Sequence, residues 1–438
     1  MTKIIDLKEN GVVGAGGAGF PTYKKFEIPV EVFIVNAAEC EPLLHKDKQI
    51  LEHRTDTFFQ GLSRCMKLVS SKKAIIGIKK KYTHLVQLLQ NMCPDQVEIC
   101  LLRDFYPAGD EITLIYETTG RVVKAGELPF SQAVTVSNVE TIYNIGKKGP
   151  VLSKWLTVAG CVHEPTTIEV PLGIRIQEIL HHFISEPSKY GVIVGGPMMG
   201  QEASSLTQAI QKTSSGLLVL PRDHPFLQRK QSARVMSTVH RVGKSACDQC
   251  LMCTDLCPRF LLGHPIQPHS SMRSVLMGQN PMQADQTSAH TLACCECNLC
   301  TLFSCPEHLY PAQVCISLKA DASQKKMTVP AKNQAQPHPL INFRRIPMYR
   351  IQQKLGLSRF QDHAPFKSYS FSPNTVFISR HPHIGAVAEP VVDIGDEVQK
   401  GQKIATVGDA LGAEVHASIS GVVRDITHDA LHIHKKTK

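Results

Sequence analysis

Eight cysteines in one stretch of the chain have the types and spacing to hold inorganic clusters. Cys247, Cys250, Cys253 and Cys257 read C-x2-C-x2-C-x3-C, with Pro258 next. Cys294, Cys297, Cys300 and Cys305 nearly repeat that order, again followed by a proline, Pro306. Three cysteines two residues apart put three sulfurs on a tight loop around one cubane, and a fourth thiolate arrives from further along. Paired runs of this kind mark two [4Fe–4S] clusters. The proline stops the backbone from continuing as regular helix. In such paired runs the fourth cysteine serves the other cluster, so Cys257 is expected at the second cube and Cys305 at the first.

The second run carries four residues, Thr301 to Ser304, before its last cysteine, where the first run has three. Cys294 fits the spacing better than its neighbour Cys295, which would make a poor C-x-C with Cys297; the two remain alternatives. Structural zinc takes four ligands in two pairs and would leave a third evenly spaced cysteine surplus. Disulfides are not expected, because MTKIIDLKEN is polar and charged and does not read as a secretory leader. A reducing cytosol keeps thiols free. Cys40, Cys65, Cys93, Cys100, Cys161 and Cys315 are scattered and read mostly as small buried residues.

A second chemical signal is glycine. Gly11–Phe20 reads GVVGAGGAGF, with G-x-G-x-x-G-like spacing at Gly14, Gly16 and Gly19. Glycine lets backbone N–H groups approach a phosphate closely. Alone the string is weak, because no clear strand precedes it, and a flexible loop is the other reading. Asn36 to Pro42 (NAAECEP) follows the strand-like EVFIV. Polar groups at the carboxyl end of a parallel strand face a ligand crevice. An acidic helix-capping turn is an equal alternative there.

The elements that must position these residues alternate in type. Glu31–Val35, Lys73–Ile78 and Val97–Leu102 are short apolar runs of the buried-strand kind, and 84–91 has helical spacing, which together argue for a largely parallel α/β layer. From Lys154 the order strand, strand, helix, strand suggests a small α+β module. Helices are expected to flank the cluster loops, an extended linker with one short basic helix to follow, and a β-rich pseudo-repeat to end the chain. A chain of 438 residues has room for three or four domains, and 42% hydrophobic with 20% charged residues suits globular folding. No run of apolar residues is long enough to predict a membrane span. The net charge of +10 is spread out, with Lys79–Lys81 and Lys435–Lys436 expected as solvated surface; one Trp and nine Tyr leave few stacking platforms, so nucleic acid is not expected as a partner. No hydrolytic triad or zinc-protease spacing appears, and the histidines at 264–269 and 381–383 are expected on exposed loops.

Combined, GAGGAGFPT, NAAECEP, AGDEITLI (Ala108–Ile115) and SNVETIYNI (Ser137–Ile145) resemble the FMN domain of the complex I flavoprotein subunit and of RnfC-like proteins. GGPMMG (Gly195–Gly200) resembles RnfC in particular. Lys154–Phe183 resembles their soluble-ligand-binding β-grasp (SLBB) domain. ACCECNLCTLFSCPE (Ala293–Glu307) and the C-terminal β-rich stretch resemble the cobalamin reductases of bacterial propanediol utilisation; RnfC carries that β-rich module at its N-terminus.

The resemblance implies a multidomain α/β and α+β fold. Its parts are a Rossmann-like FMN domain over 1–150, a β-grasp domain over 151–225 and a helical two-cluster ferredoxin-type domain over 233–325. A linker over 331–372 then leads to a lipoyl-like barrel-sandwich hybrid over 373–438. It implies FMN and two [4Fe–4S] clusters as cofactors, NADH as electron donor, and reduction of cob(III)alamin and cob(II)alamin in support of a B12-dependent diol dehydratase. Carried over, the phosphate loop maps to Gly14, Gly16, Gly17, Gly19 and Lys25, and flavin contacts to Asn36, Glu39, Gly109, Asp110, Asn138 and Thr141. No catalytic side chain is implied. Ala15 stands where the complex I loop has an arginine. The implied setting is the bacterial cytoplasm, within a microcompartment, with a cobalamin adenosyltransferase or shell protein as partner. The alternatives are an RnfC-like subunit feeding a membrane complex, and an electron conduit across a compartment shell. Gly408–Gly412 stands where biotinyl and lipoyl domains carry a modified lysine and has none, so a docking module is expected rather than a swinging arm.

Overall fold

The computed structural model describes residues 3–277, 281–329 and 335–436. The first part is built on β1 (Val32–Ala37), β2 (Lys73–Lys79), β3 (Val97–Leu102), a two-residue β4 (Phe105–Tyr106) and β5 (Val134–Asn138). Four of these form a parallel sheet in the order β3-β2-β1-β5. Strands covered on both faces read as continuous apolar runs, as EVFIV does. Phe33 and Val35 enter one core with Phe58, Leu62 and Ile142, while Val32 and Ile34 enter another with Ile112 and Ile115. On the first face two helices, Thr55–Leu68 and Val139–Lys147, cross at glycines. A methyl group at Gly61 would sit 2.0 Å from the Ile142 carbonyl oxygen, and one at Gly146 2.0 Å from that of Thr57.

The second part is a mixed sheet of β6 (Ser153–Gly160), β7 (Thr166–Pro171), β8 (Tyr190–Val194), β9 (Gln201–Glu202) and β10 (Gly216–Pro221). Its order is β7-β6-β10-β8-β9, and the helix Ile176–Leu180 closes its core through Ile176 and Ile179. Helices Pro225–Ala233, Met236–Ala246, Pro268–Met277, Pro281–Thr291 and Pro311–Gln324 surround the cysteine loops.

The stretch expected as an extended linker is a packed strap. Residues 331–334 lie outside the described residues. Beyond them β11 (Ile346–Pro347) pairs antiparallel with β4. The helix Met348–Lys354 follows, and Met348, Ile351 and Leu355 recur at helical spacing, so one face is apolar. These three join Ile346 and Leu357 in a core shared with Tyr106 and Leu299.

The last part is a four-stranded sheet beside a three-stranded one. Val376, Ile404, Val423, Leu431 and Ile433 fill its interior. It sits on the beginning of the chain. Lys8 Nζ donates to Gly408 O at 2.6 Å and Glu414 N to Lys8 O at 3.1 Å, while Lys212 of the second part bridges them, donating to Gly11 O at 2.7 Å and to Glu414 O at 3.4 Å. The turn at Gly408 is thereby docked. Among the described residues no helix is long and apolar enough to cross a membrane.

Three surface expectations are corrected. Lys79 is buried, because Asp104 lies 2.9 Å from its ammonium and lets it be covered. His264 and His383 are also buried, each with a ring nitrogen against a backbone carbonyl, Val123 O at 2.9 Å and Ala413 O at 3.0 Å.

Candidate functional site

The strand order reverses beside β1, since its chain neighbour β2 lies on one side and β5 on the other. Asn36 and Asn138 are register partners at the carboxyl ends of β1 and β5, so they flank the switch point where open α/β sheets take ligands. The glycine loop arches over this end. It is closed by a bridge between Val13 and Pro21 and by Gly14 N donating to Phe20 O at 2.9 Å. Gly17 has a φ of +124° and nothing within 4 Å of where a Cβ would stand, so a ligand can approach its backbone. A Cβ on Gly16 would press on Asn138 Cβ at 3.3 Å. Thr141 Oγ1 fastens the loop by accepting from Ala15 N at 2.9 Å. Gly19 closes the loop, its N–H donating to Gly14 O at 3.2 Å. These features fit the approach of a phosphate-bearing cofactor to bare backbone.

The other expected residues are placed as follows. Asn36 Nδ2 donates to Gly109 O at 2.8 Å, and Gly109 is crowded by Cys40 Sγ, 3.1 Å from its would-be Cβ. Asp110 caps the helix Glu111–Thr119 through Thr113 N at 3.0 Å, and its other oxygen holds Arg259 at 2.7 Å. Asn138 caps the helix Val139–Lys147 through Glu140 N at 3.0 Å and gives Nδ2 to Asp47 at 2.7 Å. Lys25 reaches Glu111 at 2.6 Å and Val136 O at 2.8 Å, so its ammonium is engaged at the sheet end rather than in the glycine loop. Glu39 is turned onto the start of the helix Lys46–His53, accepting from Asp47 N at 3.1 Å, with Lys48 Nζ at 3.7 Å. For Glu39 the capping alternative is the one the geometry shows. Glu41 accepts from Met198 N and Met199 N at 2.8 Å each and so fixes the GGPMMG loop; burial raises its pKa.

Beneath the glycine loop lies a buried quartet of charges that sequence reasoning missed. Lys154 Nζ donates to Ala15 O at 2.9 Å and to Glu140; Lys46 lies 2.6 Å from Asp47 and 3.0 Å from Glu140. All four are under a tenth exposed. Burial pulls the Lys154 pKa down to about 8, against the attraction of Glu140. Burial also opposes the charge on Lys46, but Asp47 and Glu140 outweigh it and raise its pKa. The available signal was charge embedded in apolar sequence, Lys154 beside Trp155 and Glu140 within SNVETIYNI.

The cysteines fall into two groups. Cys305 joins Cys247, Cys250 and Cys253 around one cavity. Burial and the neighbouring Cys305, Cys250 and Cys247 push the Cys253 thiol up to about 12. Cys300 is raised by burial and then by Cys315, Cys294 and Cys257, and Cys297 feels Cys295, Cys257 and Cys300. The last cysteine of each run therefore sits with the other run. Both loops bend alike: Gln249 and Leu251 flank Cys250, Glu296 and Asn298 flank Cys297, and all four have positive φ, between 57° and 67°. Such turns cost a side-chain-bearing residue conformational energy, and they recur at the same offsets in both runs. The extra residue of the second run is absorbed by a π turn, Cys300–Ser304, closed by Cys305 N donating to Cys300 O at 3.2 Å. The first run uses an ordinary helical turn, Met252–Asp255. Cys295 is engaged by the Cys297 thiol and by Arg259. Among the described residues no three of His, Cys, Asp and Glu converge as one metal ion requires, and a cube of four irons sets its thiolates wider apart than a single ion does.

Crevice and cysteines are joined. Arg259, two residues after Cys257, pairs with Asp110, and Tyr106 Oη donates to Cys297 O at 2.8 Å.

Comparison with known proteins follows the same division. Residues 7–147 match the Nuo51 FMN-binding domain family, residues 246–310 a 4Fe-4S dicluster domain, and residues 361–438 the RnfC barrel sandwich hybrid domain. The chain is 34% identical to one component of the Na(+)-translocating ferredoxin:NAD(+) oxidoreductase complex of Acetobacterium woodii, over 57% of this chain and 56% of that protein. A crystal structure of an NAD+-reducing [NiFe]-hydrogenase aligns with a TM-score of 0.47 at 20% identity, covering 77% of this chain and 62% of that one, too loosely to add to the fold. Similarity extends over nearly the full length of two proteins named cobalamin reductase PduS. One, from Salmonella typhimurium, is 39% identical over 97% of this chain and 94% of its own length; the other, from Citrobacter freundii, is 38% identical over the same shares. The chain therefore belongs to the PduS cobalamin reductase family.

Proposed function

We propose that this protein passes electrons from NADH to the cobalt of cobalamin, using one FMN and two [4Fe–4S] clusters. The observation that supports this most is the crossed gathering of the eight cysteines, one group of which is tied to the switch-point crevice through Arg259 and Tyr106. We assign Cys247, Cys250, Cys253 and Cys305 to one cluster, and Cys294, Cys297, Cys300 and Cys257 to the other. Cys295, engaged by Cys297 and Arg259, is left as a neighbour rather than a ligand. The FMN is assigned to the crevice, with its phosphate at Gly14, Gly16, Gly17 and Gly19 and its ring toward Asn36, Gly109 and Asn138. In this reading 1–150 is a Rossmann-like unit, 151–225 a β-grasp unit, 233–325 the cluster unit and 373–438 the barrel-sandwich unit.

A bound flavin supplies the conversion between hydride donors and one-electron acceptors. The chain's own residues bind and orient. Thr141 accepts from the Ala15 N–H and Lys154 donates to the Ala15 carbonyl, so the peptides on both sides of Ala15 are held and the glycine loop keeps its shape. Asn36 ties β1 to Gly109 across the crevice. The Asp110–Arg259 pair and the Tyr106–Cys297 hydrogen bond fix the crevice against the second cysteine loop, so that the distance between the two sites does not drift. Cobalamin as the acceptor, service to a diol dehydratase, residence in a microcompartment and an adenosyltransferase or shell partner follow the relatives' name and the sequence resemblance.

The test is anaerobic purification with iron, sulfide and flavin quantified, then EPR and cobalamin absorbance after NADH is added. About eight irons and one FMN per chain are expected from the two cluster motifs. Two zincs without flavin would end the reading.

A further inference from the structure

A cleft of about 730 Å³ opens between the first sheet's flank, β6 and β7, the strap and the barrel. Its size is that of a small-molecule site, and it lies outside the crevice and the cysteine loops. Four cations line it, Arg54, Lys147, Lys400 and Lys435, against one carboxylate, Glu169. Glu169 is taken by Lys147 at 3.2 Å and by Ser153. The other three cations have no carboxylate partner among the described residues. Among the described residues, Lys435 Nζ pairs with Ser372 Oγ, at 2.7 Å. The Arg54 guanidinium lies 5.5 Å from the Phe366 ring centre and donates to the His53 carbonyl at 3.0 Å.

The cations are joined by two other kinds of surface. Phe366, Tyr369 and Phe371 give half-buried rings along the strap. Ser368, Ser370 and Ser420 add hydroxyls to the lining, that of Ser420 accepting from Lys400 N at 2.9 Å. Unpaired cations recognise phosphate, aromatic faces stack on a base, and hydroxyls suit a sugar. Separate chain segments contribute these groups: Arg54 and Lys147 from the first unit, Ser153 from β6 of the second, 366–373 from the strap, and Lys400, Ser420 and Lys435 from the barrel. A solvated lysine patch would not need four segments to converge on it.

We propose that this cleft binds the phosphate-bearing nucleotide portion of a ligand. Resting on the functional reading above, two ligands carry that chemistry: cobalamin, through the phosphodiester of its nucleotide loop, and NADH, through its pyrophosphate. Binding here anchors the tail of such a molecule, outside the crevice and the cysteine loops.

The test is anaerobic titration calorimetry on the full chain with its cofactors. Hydroxocobalamin, cobinamide (which lacks the nucleotide loop), NADH and AMP are the probes. The variants are K400E/K435E and, separately, Y369A, with flavin, iron and melting temperature checked against the parent. A tenfold or greater loss of cobalamin affinity, with cobinamide unchanged, supports the cleft with a corrinoid tail as its ligand. The same loss for NADH and AMP supports it with a dinucleotide. Affinities for all four probes within twofold of the parent, in variants that keep their flavin and iron, overturn it. Failure of the parent to reduce cobalamin with NADH would sink the functional reading instead, and these binding measurements would still decide the cleft.

Discussion

Glu140→Gln tests whether the buried quartet holds the crevice. Glu140 is fully buried and accepts from Lys154, from Lys46 at 3.0 Å and from Trp155 N at 3.0 Å. Two ammoniums and two carboxylates make the quartet neutral; the amide leaves it with one uncompensated positive charge. Removing one partner of a buried pair costs about 3–5 kcal/mol, because the remaining charge stays desolvated. At about 2–4 °C per kcal/mol for a unit of 150–250 residues, the melting temperature should fall by about 6–20 °C. Lys154 also holds the Ala15 carbonyl, so flavin content should fall with stability. The double variant E140Q/K154M restores neutrality, with Lys46 still paired to Asp47, and should recover more than half of the loss. The deficit should also depend on pH. The folded pKa of Lys154, about 8, lies below its unfolded value near 10.4. Between those values the unfolded chain binds more protons, so stability rises with pH and the cost is fully present below 8. Loss of Glu140 moves the folded value lower, so the variant's deficit should shrink as the pH is raised to 9. Thermal melts with flavin fluorescence read all of this. An E140Q protein that melts within a degree of the parent and keeps its flavin, or a double variant no better than the single, refutes the reasoning.

Four further outcomes are expected. Gly61→Ala forces a methyl against the Ile142 carbonyl at 2.0 Å and should destabilise by at least about 1–3 kcal/mol in urea unfolding; Gly146→Ala, at the same crossing, should add less than its own cost on top. Deleting Ser304 gives the second run the three-residue spacing of the first, which an ordinary helical turn accommodates, so Cys305 should keep its place. Iron should then stay near about eight per chain, and a fall toward about four would count against the reading that the π turn only absorbs the extra residue. Burial lowers the pKa of His383 and of His416 to about 4. The unfolded chain therefore binds more protons between that value and about 6.5, and stability should fall as pH drops through this window. Melts of H383Q/H416Q against pH should show a flatter slope there. Arg259→Met leaves Asp110 without its cation beside the second cysteine loop, and it should raise the protease sensitivity of the 246–310 segment more than a surface Arg→Met does.

Much of the scaffold was legible because its signals are local. Lys73–Ile78 and Val97–Leu102 are apolar, β-branched runs, and both are strands; the helical spacing at 84–91 lies in the helix Thr83–Met92. The strap was misread because its composition is that of a linker. Its few apolar residues, Ile346, Met348, Ile351 and Leu357, find their partners more than 40 residues away, and composition cannot show that. Lys79, Lys46 and Lys154 defeat the rule that lysine is exposed, since each meets a carboxylate brought by another element. His264 and His383 were read as exposed because their neighbours are loop-forming residues. The cysteine spacing announced the clusters, but the π turn that accommodates the odd residue follows from the packing around Thr301 and Ser304, both buried. Arg259 and Tyr106 gave no signal at all, because their roles exist only where two distant segments meet.

The barrel's seat on residues 8–20 has an evolutionary consequence. Ile384 N donates to Gly19 O at 3.0 Å, and Glu414 N to Lys8 O at 3.1 Å, so segments far apart in sequence are next-door neighbours in space. Where such a module is encoded and where it lodges are then separable. A permuted gene that encodes the barrel ahead of the FMN-type unit would deliver it to the same address, and moving it from after that unit to before it need not redesign the rest.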